Sequence, residues 1–320
     1  MTEHVQALAV PAFFQIPNSG YLRIEGVDHL PFLQRQTTND LNLLEPGRAL
    51  ITVLTNPAAR ILDVFTVFRG GASLEILTLP GHANMTFQYL RSRIFFRDQV
   101  EIFDLSSEFA QMDLIGPHIG KILNLPHLSA CPSEEHLMSI ELFGVPLRLL
   151  GLRNWGWRLI FPAGKASELI NMLEAMGGKN LSEELYEIIR IESGRPAEGH
   201  ELISDYTPLE IGLRYAVADK KGCYTGQEVI ARQITYDKIT RRLVGIYLDE
   251  KAFPGDNVKT ADTNQPLGKV TSVAESPRAG WIGLAVLKRP FDQAGTKVVI
   301  ESQSLSFSGR VTNLPFAEHP

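Results

Sequence analysis

The sequence predicts an α+β protein that ends in a small β-barrel domain, and three observations support this prediction. Strand-like and helix-like runs follow one another through the first 240 residues as strand, helix, strands, helix, strand, which favours an antiparallel sheet. After Arg242, short β-like runs separated by Pro, Gly, Asp and Asn replace this mixture and suggest a small barrel or sandwich. A length of 320 residues allows roughly two or three domains. We therefore expect an α+β region over residues 1–240, split into two mixed subdomains near 105–110, and a barrel over 241–320.

The first predicted subdomain combines strands with two helices. Asp28 can cap the first helix, and a second helix is expected over residues 82–95. Asn56-Pro57 falls between two strands, where an Asn-Pro pair favours a turn. Asp40 is expected to act as a capping or turn carboxylate. The strands are expected at residues 21–27, 48–55, 60–69, 73–79 and 99–105.

The second predicted subdomain repeats this mixture. Gly177-Gly178 can stop its second helix, and Glu183 with Glu184 suits the positive start of its third helix. The helices are expected at residues 117–125, 165–176 and 182–193, the strands at 109–115 and 157–161, and a hairpin at 139–148. The barrel strands are expected at residues 243–248, 267–274, 280–287, 296–300 and 305–311.

Composition narrows the class of protein. The formal net charge is −5, so no overall cationic field draws the chain to nucleic acid or to an anionic membrane. The two cysteines lie far apart in sequence and form no disulfide framework, which fits a reducing compartment. The start of the chain lacks the features of a signal peptide, and no apolar run approaches the length of a membrane span. We expect a cytoplasmic protein with no membrane partner and no direct nucleic-acid partner.

The most informative stretch surrounds Cys223. This cysteine stands between Gly222 and Gly226, and Lys220 and Lys221 precede it. The thiolate is the reactive form of cysteine, and nearby cations lower the pKa of a thiol. A reactive thiol assisted by Lys221 is therefore one interpretation. The other is an inert, buried cysteine in a glycine-bounded turn, because free cysteine is among the most buried residue types.

The run that follows Gly226 is helix-like. Gly226 lets the backbone turn sharply before this run. Val229, Ile230 and the stem of Arg232 are expected to supply a short apolar face that anchors the turn.

The motif Lys-Gly-Cys-Tyr-x-Gly-Gln-Glu over residues 221–228, followed by an apolar pair and Ala-Arg, resembles the signature of the YgfZ-type folate-binding proteins. These proteins are relatives of the T protein of the glycine cleavage system, in which the matching stretch usually lacks the cysteine. The resemblance extends from about Gly26 to Leu287. It implies an α+β folate-binding region of two related subdomains and a C-terminal barrel domain, arranged around a site for tetrahydrofolate or a one-carbon derivative.

The resemblance also implies site residues. Glu192 corresponds to the T-protein glutamate that holds the pteridine, in an Arg-x-Glu-x-Gly stretch that begins at Arg190. The two oxygens of a carboxylate match a flat edge of two adjacent donors. The residues alone leave open solvated charge at a helix end, capped by Gly194. Tyr206 either offers a flat face to a ring or packs in the core. The expected folate contacts are Asp63, Arg190, Glu192, Tyr206, Glu210, Gly222, Tyr224, Gln227 and Arg232, and the expected catalytic residues are Cys223 and Lys221.

The stretch around Asp63 departs from the family. Ala59-Arg60-Ile61-Leu62-Asp63 is similar to a stretch that usually reads Gly-Arg-Ile-Leu-x-Asp, so Ala59 replaces a glycine and Val64 stands where an acid is usual. Successive strand side chains face opposite sides, so Asp63 and an acid at position 64 could share a cleft only through a bulge. An aspartate of this region contributes to the T protein's chemistry at folate, so the departure counts against aminomethyl transfer here.

The resemblance implies a function, and the residues leave alternatives. It implies a folate-binding protein that supports iron–sulfur cluster assembly or maintenance and thereby tRNA modification, with iron–sulfur proteins or their assembly factors as partners. The alternative is a folate-dependent aminomethyl or methyl transferase, and a third possibility is a scaffold whose glycines only shape turns. No histidine has a metal-ligand spacing, so no metal is expected. The basic spots at Arg91-Ser92-Arg93 and Arg241-Arg242 are interpreted as solvated surface charge.

Overall fold

The structure of the protein, a computed structural model, describes residues 9–302 and 305–316. Within these residues the chain divides into two compact units, each built from several segments. The first unit comprises the residues up to Thr55, Asp63–Glu183 and Tyr215–Thr225, and the second comprises Asn56–Leu62, Glu184–Arg214 and the residues from Gly226 onward. The domain boundary near residue 241 stays a prediction.

Two sheets form most of the first unit. Their strands are β1 (Ala12–Gln15), β2 (Gly20–Glu25), β3 (Ala49–Thr55), β4 (Ile61–Arg69), β5 (Leu74–Thr78), β6 (Glu101–Asp104), β7 (Phe109–Ile115), β8 (Leu137–Leu142), β9 (Val145–Leu152), β10 (Gly156–Pro162) and β11 (Lys179–Asn180). The five-stranded sheet has the order β3-β4-β5-β2-β6, and the six-stranded sheet has the order β11-β1-β7-β10-β9-β8. Strand β1 pairs antiparallel with β7 and parallel with β11.

Among the described residues, these sheets are accompanied by helices α1 (His29–Gln34), α2 (Ala83–Arg91), α3 (Ile119–Ile122) and α4 (Ala166–Ala175). Helix α4 buries Leu169 and Leu173 in the core of the six-stranded sheet, together with Phe13, Trp157 and Phe161. The spacing of Leu169 and Leu173 places both on one helix face, which is the pattern of a helix that packs on a sheet.

The second unit contains helix α5 (Glu183–Glu192, all but its first residue), helix α6 (Gln227–Thr235) and a closed barrel. The barrel strands are β12 (Arg241–Leu248), β13 (Asn257–Thr260), β14 (Pro266–Ser276), β15 (Gly280–Lys288), β16 (Lys297–Ser302) and β17 (Leu305–Thr312), closed in the order β12-β15-β14-β13-β16-β17. Alternate apolar side chains fill its interior, among them Val244, Ile246, Val298 and Ile300. The predicted α+β region with a C-terminal β-barrel is therefore confirmed.

The structure differs from the predicted elements at three strands and two helices. Strands β1, β11 and β13 were not predicted, because they are only two to four residues long and give too short a pattern to recognise. The helix expected over 117–125 is reduced to α3, because His118 and Asn124 have positive φ values of 61° and 55°. Helix α2 ends at Arg91, before the predicted residue 95.

Within residues 9–302 and 305–316, no helix has the length and apolar content that a bilayer-spanning helix needs.

Candidate functional site

Lys221 joins the cysteine motif to the loop that follows α1. Its Nζ donates to the carbonyl oxygens of Gln34, Thr37 and Asn39 at 2.8, 2.6 and 2.6 Å. An ammonium group has three N–H donors, so these three oxygens match its donor capacity. Burial lowers the pKa of Lys221 to about 8, and the charge of Asp40 opposes this change.

Further hydrogen bonds hold the same two segments of the first unit together. Thr38 Oγ1 donates to the carbonyl of Ala216 at 2.6 Å, and the amide of Ala218 donates to the carbonyl of Thr38 at 3.0 Å. Asn39 Nδ2 donates to the carbonyl of Tyr215 at 3.3 Å. We call this connection between residues 34–39 and 215–221 the loop clamp. The next residue, Asp40, caps a short 3-10 helix by accepting the amide of Asn42, which confirms its predicted role.

Cys223 is exposed and carries a free thiol. The interpretation of a buried cysteine is therefore wrong, whereas the reactivity of this thiol stays a prediction. Lys221 donates hydrogen bonds to three carbonyl oxygens, so its assistance to a thiolate at Cys223 stays a prediction. At Gly222 an added Cβ would meet nothing within 4 Å and the backbone is not left-handed, so the motif does not require a glycine there for conformational reasons.

Helix α6, which begins at the end of the cysteine motif, presents mainly polar side chains. Ile230 is buried, but Val229 and Arg232 are exposed, so the predicted apolar face reduces to one residue. Arg232 Nη2 lies 2.7 Å from Glu228 Oε1 in an exposed pair one helical turn apart. Such pairs contribute about 0.3–0.5 kcal/mol. Tyr224 is buried, and its ring centroid lies 5.2 Å from the Nζ of Lys221. Gln227 is half-buried.

Asp63 is fully buried on strand β4 and is held by its own unit. Its Oδ1 accepts the amides of Val64 and Leu79 at 2.7 and 3.0 Å, and its Oδ2 accepts Thr86 Oγ1 at 2.5 Å. Burial raises the pKa of Asp63 to about 6, although these bonds and His82 act in the opposite direction. Buried and half-buried residues alternate from Ile61 to Thr66, so position 64 faces the other side of the strand. The contact of Asp63 with folate therefore stays a prediction.

Glu192 is buried at the end of helix α5 and lies between two donors of the barrel segment. Its Oε1 accepts Ser276 Oγ at 2.5 Å, and its Oε2 accepts Arg278 Nη2 at 2.7 Å. Gly194 ends the helix with a φ of 68°, as predicted for its cap. The interpretation of Glu192 as a solvated helix-end charge is wrong, because only 5% of the residue is exposed.

Arg190 is also buried, but it belongs to a separate network. Its Nη1 lies 3.4 Å from Glu201 Oε2, and its Nη2 donates to Ser272 Oγ at 2.9 Å and to Glu187 Oε2 at 2.6 Å. Glu201 also accepts Thr271 Oγ1 and Ser272 Oγ. Arg190 and Glu192 thus point in different directions, as their spacing predicts. The described bonds of Arg190 give it a structural role.

Glu210 and Tyr206 form a third cluster in the second unit. Glu210 accepts two bonds from Arg241, at 2.9 and 3.1 Å, and one from Arg60 at 3.2 Å. The guanidinium carbon of Arg241 lies 5.1 Å from the ring centroid of Tyr206. Tyr206 is buried, as a packing tyrosine would be, and burial raises its pKa. The interpretation of Arg241 as solvated surface charge is wrong.

The structure thus places the predicted site residues in several clusters. They are the loop clamp with Lys221, the adjoining residues Gly222, Cys223 and Tyr224, the Asp63 network, the Glu192 pair, the Arg190 network and the Glu210 cluster. The sequence reasoning missed Ser276, Arg278 and Glu201, because each lies on a turn or strand end with no spacing that marks its partner. Within residues 9–302 and 305–316, no group of three or more His, Cys, Asp or Glu side chains could hold a metal ion.

Family models cover nearly the whole chain. Residues 2–221 match the GCVT N-terminal domain, and residues 241–318 match the glycine cleavage T-protein C-terminal barrel domain. The chain belongs to the glycine cleavage T-protein family. The predicted T-protein-like fold is therefore confirmed, and the family includes folate-binding proteins.

Individual relatives agree with this assignment. A chloroplastic protein of Arabidopsis thaliana, provisionally named a transferase, is 31% identical over 94% of this chain and 70% of its own length. The aminomethyltransferase of Bacillus subtilis is 27% identical, over 98% of this chain and 90% of its own. The crystal structure of glycine cleavage system aminomethyltransferase T from Bartonella henselae matches with a TM-score of 0.84 and 21% identity, over 99% of this chain and 89% of that chain. At this identity the last match describes the fold alone.

Proposed function

We propose that this protein binds tetrahydrofolate or one of its one-carbon derivatives and transfers the one-carbon unit. Several bacterial relatives are aminomethyltransferases, which favours this alternative of the sequence analysis over the function in iron–sulfur cluster maintenance. The chemistry supplied by the folate is a nucleophilic ring nitrogen that carries the one-carbon unit. The protein's part is to bind and orient the pterin ring.

The observation that carries the proposal is the pairing of Glu192 with Arg278. A guanidinium offers two parallel N–H donors in one plane, and a pterin offers a similar pair from a ring N–H and its amino group. A buried carboxylate that receives Arg278 at 2.7 Å thus has the acceptor chemistry that a pterin requires. Arg278 is the more exposed partner, with 38% of its side chain accessible. A ligand can therefore displace it from Glu192 at a lower free-energy cost than it could displace a buried partner.

Glu192→Gln tests this role by isothermal titration calorimetry with 5-formyltetrahydrofolate. Loss of one or two charge-assisted hydrogen bonds should cost about 1.5–3 kcal/mol each, so we expect affinity to fall by a factor of about ten or more. Glu168→Gln, in an exposed pair with Lys165 on α4, is the matched control and should bind as the wild type does. A wild-type protein that binds no reduced folate would contradict the proposal.

One-carbon transfer needs a separate measurement, because a protein can bind folate without turning it over. We expect the wild type to release ammonia from a lipoyl-bound aminomethyl carrier protein in the presence of tetrahydrofolate. Glu192→Gln should lower this rate at subsaturating folate. Folate binding without any turnover would reject the transferase activity and retain the binding site.

A second candidate function is the support of iron–sulfur proteins, and a specific observation favours it. Cys223 is exposed in the YgfZ-type motif, while Val64 occupies the position at which an acid is usual in the family. A solvated thiol suits redox or cluster chemistry, and the missing acid counts against aminomethyl transfer. In this case iron–sulfur proteins or their assembly factors would be the partners, and tRNA modification by iron–sulfur enzymes would depend on the protein.

Cys223→Ala separates the two candidates. If the protein maintains iron–sulfur proteins, the variant should lower the activity of iron–sulfur enzymes in cells that depend on it, while folate affinity stays the same. Cys131→Ala is the matched control, because Cys131 is the other exposed free thiol. Full enzyme activity with Cys223→Ala would remove the thiol from the function.

A further inference from the structure

A loop of the first unit exposes two phenylalanines among arginines. Phe95 and Phe96 follow helix α2, with 65% and 93% of each residue accessible to solvent. Arg91, Arg93 and Arg97 are exposed in the same segment. We call residues 91–98 the aromatic–arginine loop. Full burial of one Phe side chain stabilises by about 1.5–3 kcal/mol, so two exposed neighbours are a candidate contact surface.

Hydrogen bonds to Asp98 and contact with Arg35 hold the Phe95 part of the loop in place. Asp98 accepts the amide of Phe95 at 2.8 Å, and the amide of Asp98 donates to the carbonyl of Phe95 at 2.9 Å. The same carboxylate pairs with Arg35, whose guanidinium carbon lies 5.6 Å from the centroid of the Phe95 ring. Side-chain ordering is part of the cost of binding, so a preformed loop lowers that cost.

A third exposed apolar side chain lies in a segment that is bonded to the end of the loop. Val27 is 74% exposed in the turn that leads into α1. Its neighbour Asp28 is tied to the end of the loop, because Asp28 Oδ2 accepts the amide of Gln99 at 2.9 Å. The exposed apolar groups therefore come from two segments joined by a hydrogen bond.

The charge of the loop indicates the chemistry of its partner. Three exposed arginines lie within seven residues, and the one acid of the segment, Asp98, is already paired with Arg35. Arg97 places its guanidinium carbon 5.3 Å from the Phe96 centroid, so charge and ring lie side by side. We propose that the aromatic–arginine loop docks an acidic protein segment that carries apolar side chains, with carboxylates on the arginines and apolar groups against Phe95 and Phe96.

Two other classes of partner fit these observations less well. Insertion of Phe96 into a bilayer would draw the neighbouring Arg97 charge toward hydrocarbon, which is costly. Single-stranded nucleic acid stacks its bases on free ring faces along a cationic groove, whereas a guanidinium lies over the rings of both Phe95 and Phe96, and the whole chain has a net charge of −5. An acidic protein segment can place its carboxylates on the arginines and its apolar side chains against the neighbouring rings.

Fluorescence anisotropy with a labelled peptide rich in Asp and Glu and bearing a few Leu and Phe side chains tests the proposal. We expect this peptide to bind the full chain and to bind more weakly as salt is added. Phe96→Ser and Arg97→Glu should each lower the affinity about tenfold or more, as residues at the centre of an interface do. Leu305→Ser, at an exposed apolar position on β17, is the matched control and should leave the affinity unchanged.

Several distinct results would contradict the proposed docking of an acidic segment. Equal affinity of the wild type and Phe96→Ser would overturn the proposal, as would no binding of the acidic peptide. A version of the peptide with Lys for every acid, an oligouridylate and phosphatidylserine vesicles serve as competing probes. Binding of any of these in preference to the acidic peptide would assign the loop to another partner class. A wild-type dimer that Phe96→Ser converts to a monomer would identify a second copy as the occupant, and thermal unfolding verifies that each variant folds.

Discussion

At Asp63, an ionisable side chain sits where no part of it reaches solvent. Three donors satisfy its oxygens, yet burial still raises the pKa of Asp63 to about 6. The unfolded chain would have an ordinary aspartate, with a pKa near 3.9. Between these two values the folded protein binds a proton that the unfolded chain has lost. The contribution of Asp63 to stability is therefore fully present below about pH 4 and is lost as the pH rises through about 6.

Asp63→Asn should remove this part of the pH dependence. The introduced side-chain amide keeps an oxygen acceptor for the backbone amides of Val64 and Leu79 and can donate to Thr86 Oγ1. We expect the wild type to lose up to about 3 kcal/mol of unfolding free energy from this group between pH 4 and 7. Asp63→Asn should lack that loss in urea unfolding measured across the range.

Thr86→Val is the control for Asp63→Asn. It removes the hydroxyl that donates to Oδ2, so it should raise the pKa of Asp63 further and extend the loss of stability to higher pH. His82 Nδ1 lies 3.8 Å from Asp63 Oδ1 and is retained in both variants. Identical pH profiles for the wild type and Asp63→Asn would mean that folding does not raise the pKa of Asp63.

Gly226 and Gly222 differ although both flank Cys223. Gly226 precedes α6 with a φ of 85°, where a side chain is strained, whereas Gly222 has open space and an ordinary backbone. We expect Gly226→Ala to lower the unfolding free energy by about 1–2 kcal/mol. Gly222→Ala should change it by no more than about 1 kcal/mol, and in the stabilising direction. Urea unfolding followed by tryptophan fluorescence compares the two, and equal losses would contradict the assignment.

For single residues, the sequence identified the functional side chains more readily than it predicted their burial and their partners. The cysteine motif identified Cys223 and Lys221, and the Arg-x-Glu-x-Gly stretch identified Glu192, but neither could show that Lys221 lies among carbonyl oxygens or that Glu192 is buried. Ser276 and Arg278 are the partners of Glu192, and they lie more than eighty residues further along the chain. Such contacts depend on the folded chain, and spacing within a motif does not encode them.

At the level of elements, the loop clamp connects the end of α1 and the loop after it to a segment that begins in a short 3-10 helix, Arg214–Ala216. Lys221 supplies three of its bonds, and Thr38 and Asn39 supply others. A buried carbonyl without a donor costs free energy, so removal of the ammonium leaves several oxygens to find water or reorganise. The clamp also fixes the backbone that leads to Cys223, because Cys223 is two residues beyond Lys221.

Lys221→Met should therefore loosen residues 34–39 and 215–221 together. Methionine keeps the apolar stem but donates no hydrogen bond. We expect faster amide exchange in both segments and a loss of about 1–3 kcal/mol in the unfolding free energy. Lys220→Met is the matched control, because Lys220 is exposed, and it should leave exchange unchanged. Hydrogen exchange with mass spectrometry measures both, and faster exchange in only one segment would show that the clamp is not cooperative.

The elements that the sequence predicted well are those with clear periodicity. Helix α4 was expected over 165–176 and spans Ala166–Ala175, and strand β7 agrees with its predicted bounds. Short elements failed. Strand β11 has two residues and depends on its parallel pairing with β1, and α3 is cut short by left-handed residues at His118 and Asn124. Neither a distant partner strand nor a local left-handed residue appears in the apolar pattern.

For the whole molecule, the family assignment and the fold agree, but the choice between the two proposed functions depends on individual side chains of the site. Both family models and the barrel topology identify a T-protein-like chain. The sequence already indicated this fold through the motif at residues 221–228. It could not decide between one-carbon transfer and iron–sulfur maintenance, because both use the same scaffold and differ in a few side chains, among them Val64 and Cys223.

Folate binding should stabilise the unit that contains Glu192. A ligand that binds only the folded state adds RT ln(1 + [L]/Kd), which is about 2.7 kcal/mol at one hundred times Kd. Trp281 packs against the barrel core of this unit, whereas Trp155 and Trp157 belong to the first unit, so the tryptophan signal that Trp281→Phe removes reports the unfolding of the second unit. We expect 5-formyltetrahydrofolate to raise the unfolding midpoint of the second unit in the wild type and in Glu168→Gln, and to raise it less in Glu192→Gln at the same concentration. An equal rise in Glu192→Gln would place the ligand away from this carboxylate, since a site that does not use Glu192 keeps its affinity when the charge is removed.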